Sequence, residues 1–231
     1  MLRQESRNRE MNARERLTNV WRDLARRLAC PGPGIETVLG ELVRAYSEPH
    51  RHYHTTEHIA SLLRLMDEHG HEVIDRDAMA VAMLFHDVVY DPARHDNEQA
   101  SADLAGKRLA ALAFPSQLVA KVKSFILASQ HAQGPPTIND TDLALLLDLD
   151  LSILAAAPAE YRTYAQAIRR EYNHVPDAPY RLGRRRILEG FLRRASIYRT
   201  KQLHALWDKQ ARANIAGEVA TLSELSDPRA S

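Results

Sequence analysis

Apolar residues recur every three or four positions through most of this chain, which is the spacing of amphipathic α-helices. The first such stripe contains Leu17, Val20, Trp21, Leu24 and Leu28. The strict alternation of apolar and polar residues that is typical of β-strands is missing, β-branched residues are few, and Ala, Leu, Arg and Glu dominate. The sequence therefore predicts an all-α protein.

Proline and glycine divide this helical pattern into segments, most clearly at Pro31–Gly34, around Pro49 and at Gln133–Pro136. Between Ala78 and Val89 apolar residues cover nearly the whole circumference of a helix, which predicts that this helix lies in the centre of the core. The predicted helices span approximately residues 17–28, 35–46, 54–70, 78–89, 97–112, 115–131, 143–154, 159–172, 183–197 and 201–222.

The size of the chain suits one hydrophobic core. A chain of 231 residues buries about 70% of its unfolded surface on folding, and no linker divides the sequence into two apolar parts. We predict a single domain over residues 15–231. The segment 1–14, which is dense in Arg, Glu and Asn, is predicted to be flexible or frayed.

The charge, the apolar runs and the cysteine content of the chain indicate its partners and its cellular location. The 31 basic and 30 acidic residues leave a net charge of +1, so no nucleic-acid partner is expected. The longest uncharged apolar run, Ala78–Phe85, is far shorter than a membrane span, and residues 1–16 contain no apolar signal segment. The single cysteine, Cys30, fits a reducing compartment. We expect a cytoplasmic protein with no membrane partner.

The histidines are clustered, since four of the 11 lie between His50 and His58. His54 and His58 are four residues apart, so on a regular helix both side chains address the same point in space. Paired histidines on helices are also commonly solvated or bonded to backbone carbonyls. The pair therefore becomes a candidate site only together with further residues.

A second element, His86-Asp87, ends the most apolar predicted helix. Burying an imidazole and a carboxylate without partners is costly, and a bound cation removes that cost. The alternative is that His86 interacts with the helix dipole while Asp87 pairs with an arginine.

A third element places Asp148 and Asp150 in a run that is otherwise apolar. Acids in such surroundings usually have a cation, an arginine or a helix N-terminus as partner. Two residues apart, they point in different directions on a regular helix. We predict that one points inward and that the other caps a helix or is solvated.

In chain order, the three elements offer two nitrogen and two carboxylate ligands from three helices: His58, His86, Asp87 and Asp150. This mixed set, with room for water, suits a six-coordinate divalent ion such as Mn, Fe, Co, Ni or Mg, and it suits a closed structural Zn site less well.

This H…HD…D order on helices resembles the HD superfamily of metal-dependent phosphohydrolases, whose fold is an all-α bundle with the metal between central helices. Tyr53-His54-xxx-His58 also resembles the cyclic-nucleotide phosphodiesterases, which implies that His58 is a ligand and His54 the proton donor. The match of Asp150-Leu151-Ser152 to their last ligand favours Asp150 over Asp148. Nothing here matches their purine-clamping glutamine pocket, so cyclic nucleotides are not implied.

The chain is more similar still to a bacterial group of predicted HD phosphohydrolases. The resemblance runs from about Thr37 to Tyr198 and rests on Glu48–His54, Phe85–Asp87, Asn97–Ala102, Asp150–Leu154, Tyr161-xx-Tyr164, Ile168-Arg169-xx-Tyr172 and Gly183-Arg184.

The resemblance implies a hydrolase that uses metal-activated water on a phosphoester, with a nucleotide or another small phosphorylated metabolite as its partner. His54 and Asp87 are the catalytic candidates, Asp87 also being a ligand. Arg51, Glu98 and His131 are candidates for binding substrate. For Arg51 a structural tie to Glu48 is an equal alternative, and Glu98 and His131 have helix-terminal alternatives.

Three points stay open at this stage. The ion is one of Mn, Fe, Co, Ni, Mg or Zn, with one or two ions bound, and the oligomeric state is open, a homodimer being one option. A non-catalytic metal- or nucleotide-binding module is the first alternative function. A di-iron HD oxygenase is the second, although only His95 and His131 lie between the HD pair and the final Asp to furnish a second iron site.

Overall fold

A computed structural model describes residues 12–30, 32, 34–130 and 139–224. These residues form ten α-helices and one short 3-10 helix, and they contain no strand, so the all-α prediction is confirmed. The α-helices are α1 (Ala13–Arg27), α2 (Gly34–Ala45), α3 (Thr56–His69), α4 (Arg76–Phe85), α5 (Asn97–Ala111), α6 (Ser116–Ala128), α7 (Thr141–Asp150), α8 (Pro158–Glu171), α9 (Asp177–Leu192) and α10 (Lys201–Glu224). The 3-10 helix, η1, spans Leu151–Ala155. None of the described helices has both the length and the hydropathy needed to cross a bilayer.

The chain divides into two compact units, Met1–Pro135 and Pro136–Ser231. The division falls inside the predicted loop Gln133–Pro136. The single domain over residues 15–231 stays a prediction. Of the predicted flexible segment 1–14, residues 1–11 lie outside the described part of the chain, while Asn12 caps α1 through hydrogen bonds in both directions with Glu15.

Helix α4 forms the centre of the first unit. All eight residues from Ala78 to Phe85 are buried, as their continuous apolar pattern predicts. The helix packs against α1, α3, α5 and α6. It ends at Phe85, four residues before the predicted end, so that His86 and Asp87 follow directly after a helix that is buried on every side.

A buried tryptophan fixes the first helix to this core. The indole Nε1 of Trp21 donates a hydrogen bond of 2.9 Å to the carbonyl of Ile35, which satisfies its one polar atom. Its ring lies edge-on to Phe85 and stacks on Phe114, with both centroids 5.9 Å away. Phe85 is thereby held directly before the His86-Asp87 pair.

The second unit is organised around α10, which packs against α9 and η1. A largely buried ion pair joins α9 to α10: Arg184 donates two hydrogen bonds, of 2.8 and 3.2 Å, to the carboxylate of Glu218. The hydroxyl of Tyr161 donates to the same carboxylate at 2.5 Å and so adds α8 to the contact. These three side chains connect three helices of the unit.

Candidate metal centre

His58, His86 and Asp87 come together in the first unit. His58 is the third residue of α3, and His86 and Asp87 follow α4. The Nε2 atoms of the two histidines are 3.3 Å apart. The Oδ2 atom of Asp87 lies 2.9 Å from Nε2 of His86 and 4.0 Å from Nε2 of His58. Both imidazoles are buried, and only 19% of the Asp87 side chain is exposed.

A hydrogen bond to the backbone sets the direction of the His86 lone pair. The Nδ1 atom of His86 lies 3.0 Å from the carbonyl oxygen of Met83. Because a carbonyl only accepts, Nδ1 carries the proton that it donates. In neutral His86 the Nε2 atom therefore holds a lone pair, which faces the carboxylate oxygen of Asp87 and a ring nitrogen of His58. The potential ligand atoms of His58, His86 and Asp87 therefore converge, and such an arrangement can hold a cation.

The spacing of these atoms fits one ion. An ion about 2.1 Å from each ligand atom holds neighbouring ligand atoms about 3 Å apart and opposite ones about 4 Å apart. The observed separations of 2.9, 3.3 and 4.0 Å fall in this range. All three atoms lie within 4.8 Å of one another, and this trio is the one group of its kind among the residues described. The donor set of two imidazoles and one carboxylate leaves room for further ligands.

His54 lies beside this cluster but outside the helix. Helix α3 begins at Thr56 because the side chain of Thr55 caps it, accepting a hydrogen bond from the Glu57 N–H. The shared helical face predicted for His54 and His58 is therefore wrong, and the turn before α3 brings the two rings to a centroid distance of 5.9 Å. The Nε2 atom of His54 is 3.9 Å from Oδ2 of Asp87, and 19% of its side chain is exposed.

Two tyrosines enclose the imidazoles. The ring of Tyr53 lies 5.1 Å from His54 and 4.9 Å from His58, measured between centroids. The ring of Tyr90 lies 4.2 Å from His54. These rings restrict the orientation of both histidines. The sequence does not identify Tyr90 as a site residue, because Tyr90 is distant from the histidine motif along the chain and belongs to no motif of its own.

Arg51 forms hydrogen bonds and an ion pair that link segments of the fold. Its side chain is fully buried beside this cluster, bonded to Glu48 and to backbone carbonyls. The predicted tie to Glu48 is thus present. Binding of a phosphate by Arg51 stays a prediction.

Glu98 is half-buried in the first turn of α5, and its role in binding substrate also stays a prediction. His131 lies outside the described residues.

The two acids of the third sequence element belong to the second unit and differ in their surroundings. Asp148 is fully buried and accepts hydrogen bonds from the Arg199 N–H, the Thr200 N–H and the Thr200 hydroxyl, at 2.7 to 2.8 Å. Burial raises the pKa of Asp148 above its ordinary value, and the bonds from Thr200 and Arg199 offset only part of that rise. Asp150 is the half-buried last residue of α7. Its role as a fourth ligand stays a prediction.

A serine, a histidine and an aspartate also meet in the second unit. The hydroxyl of Ser196 lies 2.7 Å from Nδ1 of His204, and Oδ1 of Asp208 lies 3.5 Å from the same nitrogen. In a nucleophilic triad the serine and the acid contact opposite ring nitrogens. Ser196 also donates to the carbonyl of Tyr198. The trio therefore stabilises the turn before α10 and lacks the geometry of a hydrolase triad.

Comparison of the chain with protein-family models, with curated proteins and with solved structures found no match.

Proposed function

We propose that this chain is a metal-dependent phosphohydrolase of the HD type. The observation that carries the proposal is the convergence of the His58, His86 and Asp87 ligand atoms. A proton on Nε2 of His86 could bond to only one neighbour, whereas a divalent ion can accept lone pairs from the ligand atoms of His58, His86 and Asp87 together. The hydrogen bond from His86 to Met83 fixes the ring in the orientation that metal binding requires. Asp150 is proposed as a fourth ligand on the sequence resemblance alone.

The chemistry follows from the residues around the cluster. His58, His86 and Asp87 would hold a divalent ion, which would supply activated water and polarise a phosphoryl oxygen. His54, which is partly exposed and held between Tyr53 and Tyr90, donates a proton to the leaving oxygen. Asp87 lies 3.9 Å from His54 and orients the charged form of its ring. The buried surroundings of His58 and His86 keep bulk water away from the ligand atoms.

The substrate class is a small phosphorylated molecule such as a nucleotide. With a net charge of only +1, the chain attracts such an anion through a local cation rather than through its surface as a whole. The single half-buried cysteine, Cys30, accords with work in the reducing cytoplasm.

Two measurements on the same proteins test the proposal. The full chain is purified, loaded with Mn, Fe, Co, Ni, Mg or Zn, analysed for metal by plasma emission, and assayed against a panel of nucleotides and other phosphoesters. We expect one or more of these metals to be retained and at least one phosphoester to be hydrolysed. His58→Ala and Asp87→Asn should lose metal and turnover together.

The role of His54 is tested separately. His54→Ala should keep its metal, since His54 is not a ligand, while kcat falls about 100-fold or more because the proton donor is lost. The matched control is His71→Ala, which removes an exposed histidine between α3 and α4 and should match the wild-type chain. Metal retained without turnover of any phosphoester would contradict a hydrolase and favour a binding module. Unchanged metal content in the ligand variants would refute the site.

A further inference from the structure

One buried guanidinium connects the two segments that carry the candidate chemistry. Nη1 of Arg51 donates a hydrogen bond of 2.7 Å to the carbonyl of Asp87 and one of 3.3 Å to the carbonyl of His54. Nη2 donates to the carbonyl of Val88 at 3.1 Å. The opposite edge of the group is held by Glu48, whose Oε2 accepts from Nε at 2.9 Å. The Arg51 side chain has no exposed surface.

The placement answers a local need of the backbone. The last carbonyls of a helix and those just beyond it lack partners within the helix and carry partial negative charge. The last turn of α4 contains no basic residue. Arg51, from the segment before α3, supplies the positive charge and the donors there. The guanidinium also lies over the rings of Tyr46 and Tyr90, 5.2 and 5.4 Å from their centroids.

We infer that Arg51 is a positioning residue, which fixes the Asp87 carboxylate relative to His58 and holds His54 at its distance from Asp87. A single nitrogen of Arg51 bonds to the carbonyls of both Asp87 and His54, which couples the positions of the two residues. The part of this inference that concerns His54 rests on the proposed function. The part that concerns Asp87 rests only on the candidate metal centre. The hydrogen bonds from Nε, Nη1 and Nη2 all end on protein atoms, which favours a positioning role over direct binding of substrate.

Two variants of Arg51 and one control test the inference on the full chain. Arg51→Lys keeps the charge but cannot reach the Glu48 carboxylate and the Asp87 and Val88 carbonyls at the same time. Arg51→Gln removes the charge as well. The control, Arg64→Gln, removes an arginine of α3 that is 46% exposed and bonds only within its own helix, to Glu68 and Ser61. Circular dichroism identifies the variants that fold.

Cobalt(II) is the probe, because its visible absorption spectrum reports the arrangement of its ligands independently of turnover. We expect the folded Arg51 variants to show an altered cobalt spectrum and about 10-fold weaker cobalt affinity, as outer contacts of metal ligands commonly produce. Arg64→Gln should match the wild-type chain. Where a phosphoester is hydrolysed, kcat falls in Arg51→Lys while KM stays within about twofold.

Three results would overturn the inference. The first is a cobalt spectrum and affinity in Arg51→Lys that equal those of the wild-type chain. The second is a rise in KM alone, which would place Arg51 against the substrate. The third is that the wild-type chain itself takes up no cobalt. A wild-type chain that binds cobalt but hydrolyses no phosphoester refutes the proposed function. The cobalt spectrum of Arg51→Lys still decides whether Arg51 positions Asp87.

Discussion

The carboxylate of Asp148 accepts hydrogen bonds from other residues of the protein. Its Oδ1 atom accepts from Arg199, and its Oδ2 atom accepts twice from Thr200, directly before the first residue of α10. The side chain thus satisfies two backbone N–H groups in front of a helix, which is the task of an N-terminal cap. The sequence predicts that one of the two acids points inward and the other caps or is solvated. Asp148 both points inward and caps, and Asp150 stays the ligand candidate only through the resemblance in sequence.

The two acids should therefore fail in different ways when each is replaced by asparagine. Asp148→Asn places an NH2 group against an N–H donor in a buried site, and we expect a loss of about 2 kcal/mol of unfolding free energy with metal content unchanged. If the proposed fourth ligand is correct, Asp150→Asn should lose metal, while its urea midpoint in metal-free buffer stays near that of the metal-free wild-type chain. Urea unfolding and plasma emission on both variants measure the two effects. Equal loss of metal in the two would rule out this division of roles.

At the scale of the elements, helix ends explain where sequence patterns succeed and fail. The interior of α4 follows from its apolar run, but its end at Phe85 depends on contacts outside the helix, including Arg51. Helix α9 begins at Asp177, although the pattern predicts a start near Gly183. Pro179 lies in the first helical turn, where proline costs no hydrogen bond. The spacing of apolar residues does not show how the cost of a proline depends on its position in a helix.

The turn before α10 depends on Asp208, a residue of that helix. Its Oδ1 atom accepts from the Ile197 N–H at 2.7 Å, and its Oδ2 atom accepts from Arg212 at 2.5 Å. Burial raises the pKa of Asp208, but the hydrogen bond from Arg212 and the bond from the Ile197 backbone outweigh it. The folded pKa therefore lies below the ordinary value of 3.8.

This shift predicts a pH-dependent stabilisation. A carboxyl group with a lowered folded pKa stabilises the fold fully at pH values above its unfolded pKa, and that stabilisation is lost as the pH falls through the folded pKa. The difference in Tm between wild type and Asp208→Asn should be constant above about pH 5 and should narrow below about pH 4. Glu160→Gln, which neutralises an exposed carboxylate on α8, serves as the control. A difference that is the same from pH 3 to pH 7 would count against the pairing of Asp208 with Arg212.

At the scale of the whole molecule, the sequence predicts the all-α class and the assembly of His58, His86 and Asp87. The class follows from a repeated period and the His86-Asp87 candidate from ionisable residues at the end of a wholly apolar helix, whereas the choice of His58 follows from the resemblance to the HD superfamily. The position of His54 outside α3 and the burial of Arg51 do not follow, because each depends on a cap or on carbonyls contributed by a different segment. The division at Pro135 and Pro136 lies in a predicted loop, but nothing in the composition on either side marks it as a boundary.

The stability of the folded chain should respond to metal, because the candidate ligands come from two different helices. His58 lies in the first turn of α3 and His86 follows α4, so an ion bound to both stabilises the folded form and has no preformed site in the unfolded chain. At a free Mn²⁺ concentration about 100 times the Kd, linkage adds about 2.7 kcal/mol. For a chain of this length that corresponds to a rise in Tm of about 5–10 °C.

A thermal melt monitored by circular dichroism, with and without Mn²⁺, measures this rise. His58→Ala should abolish the rise, because it removes the ligand from α3 and leaves α4 with only adjacent ligands. Glu72→Gln, which removes an exposed carboxylate in the turn between the two helices, should keep the rise and so excludes general charge effects. The same rise in His58→Ala as in the wild-type chain would mean that Mn²⁺ binds elsewhere, and the candidate metal centre would then have to be abandoned.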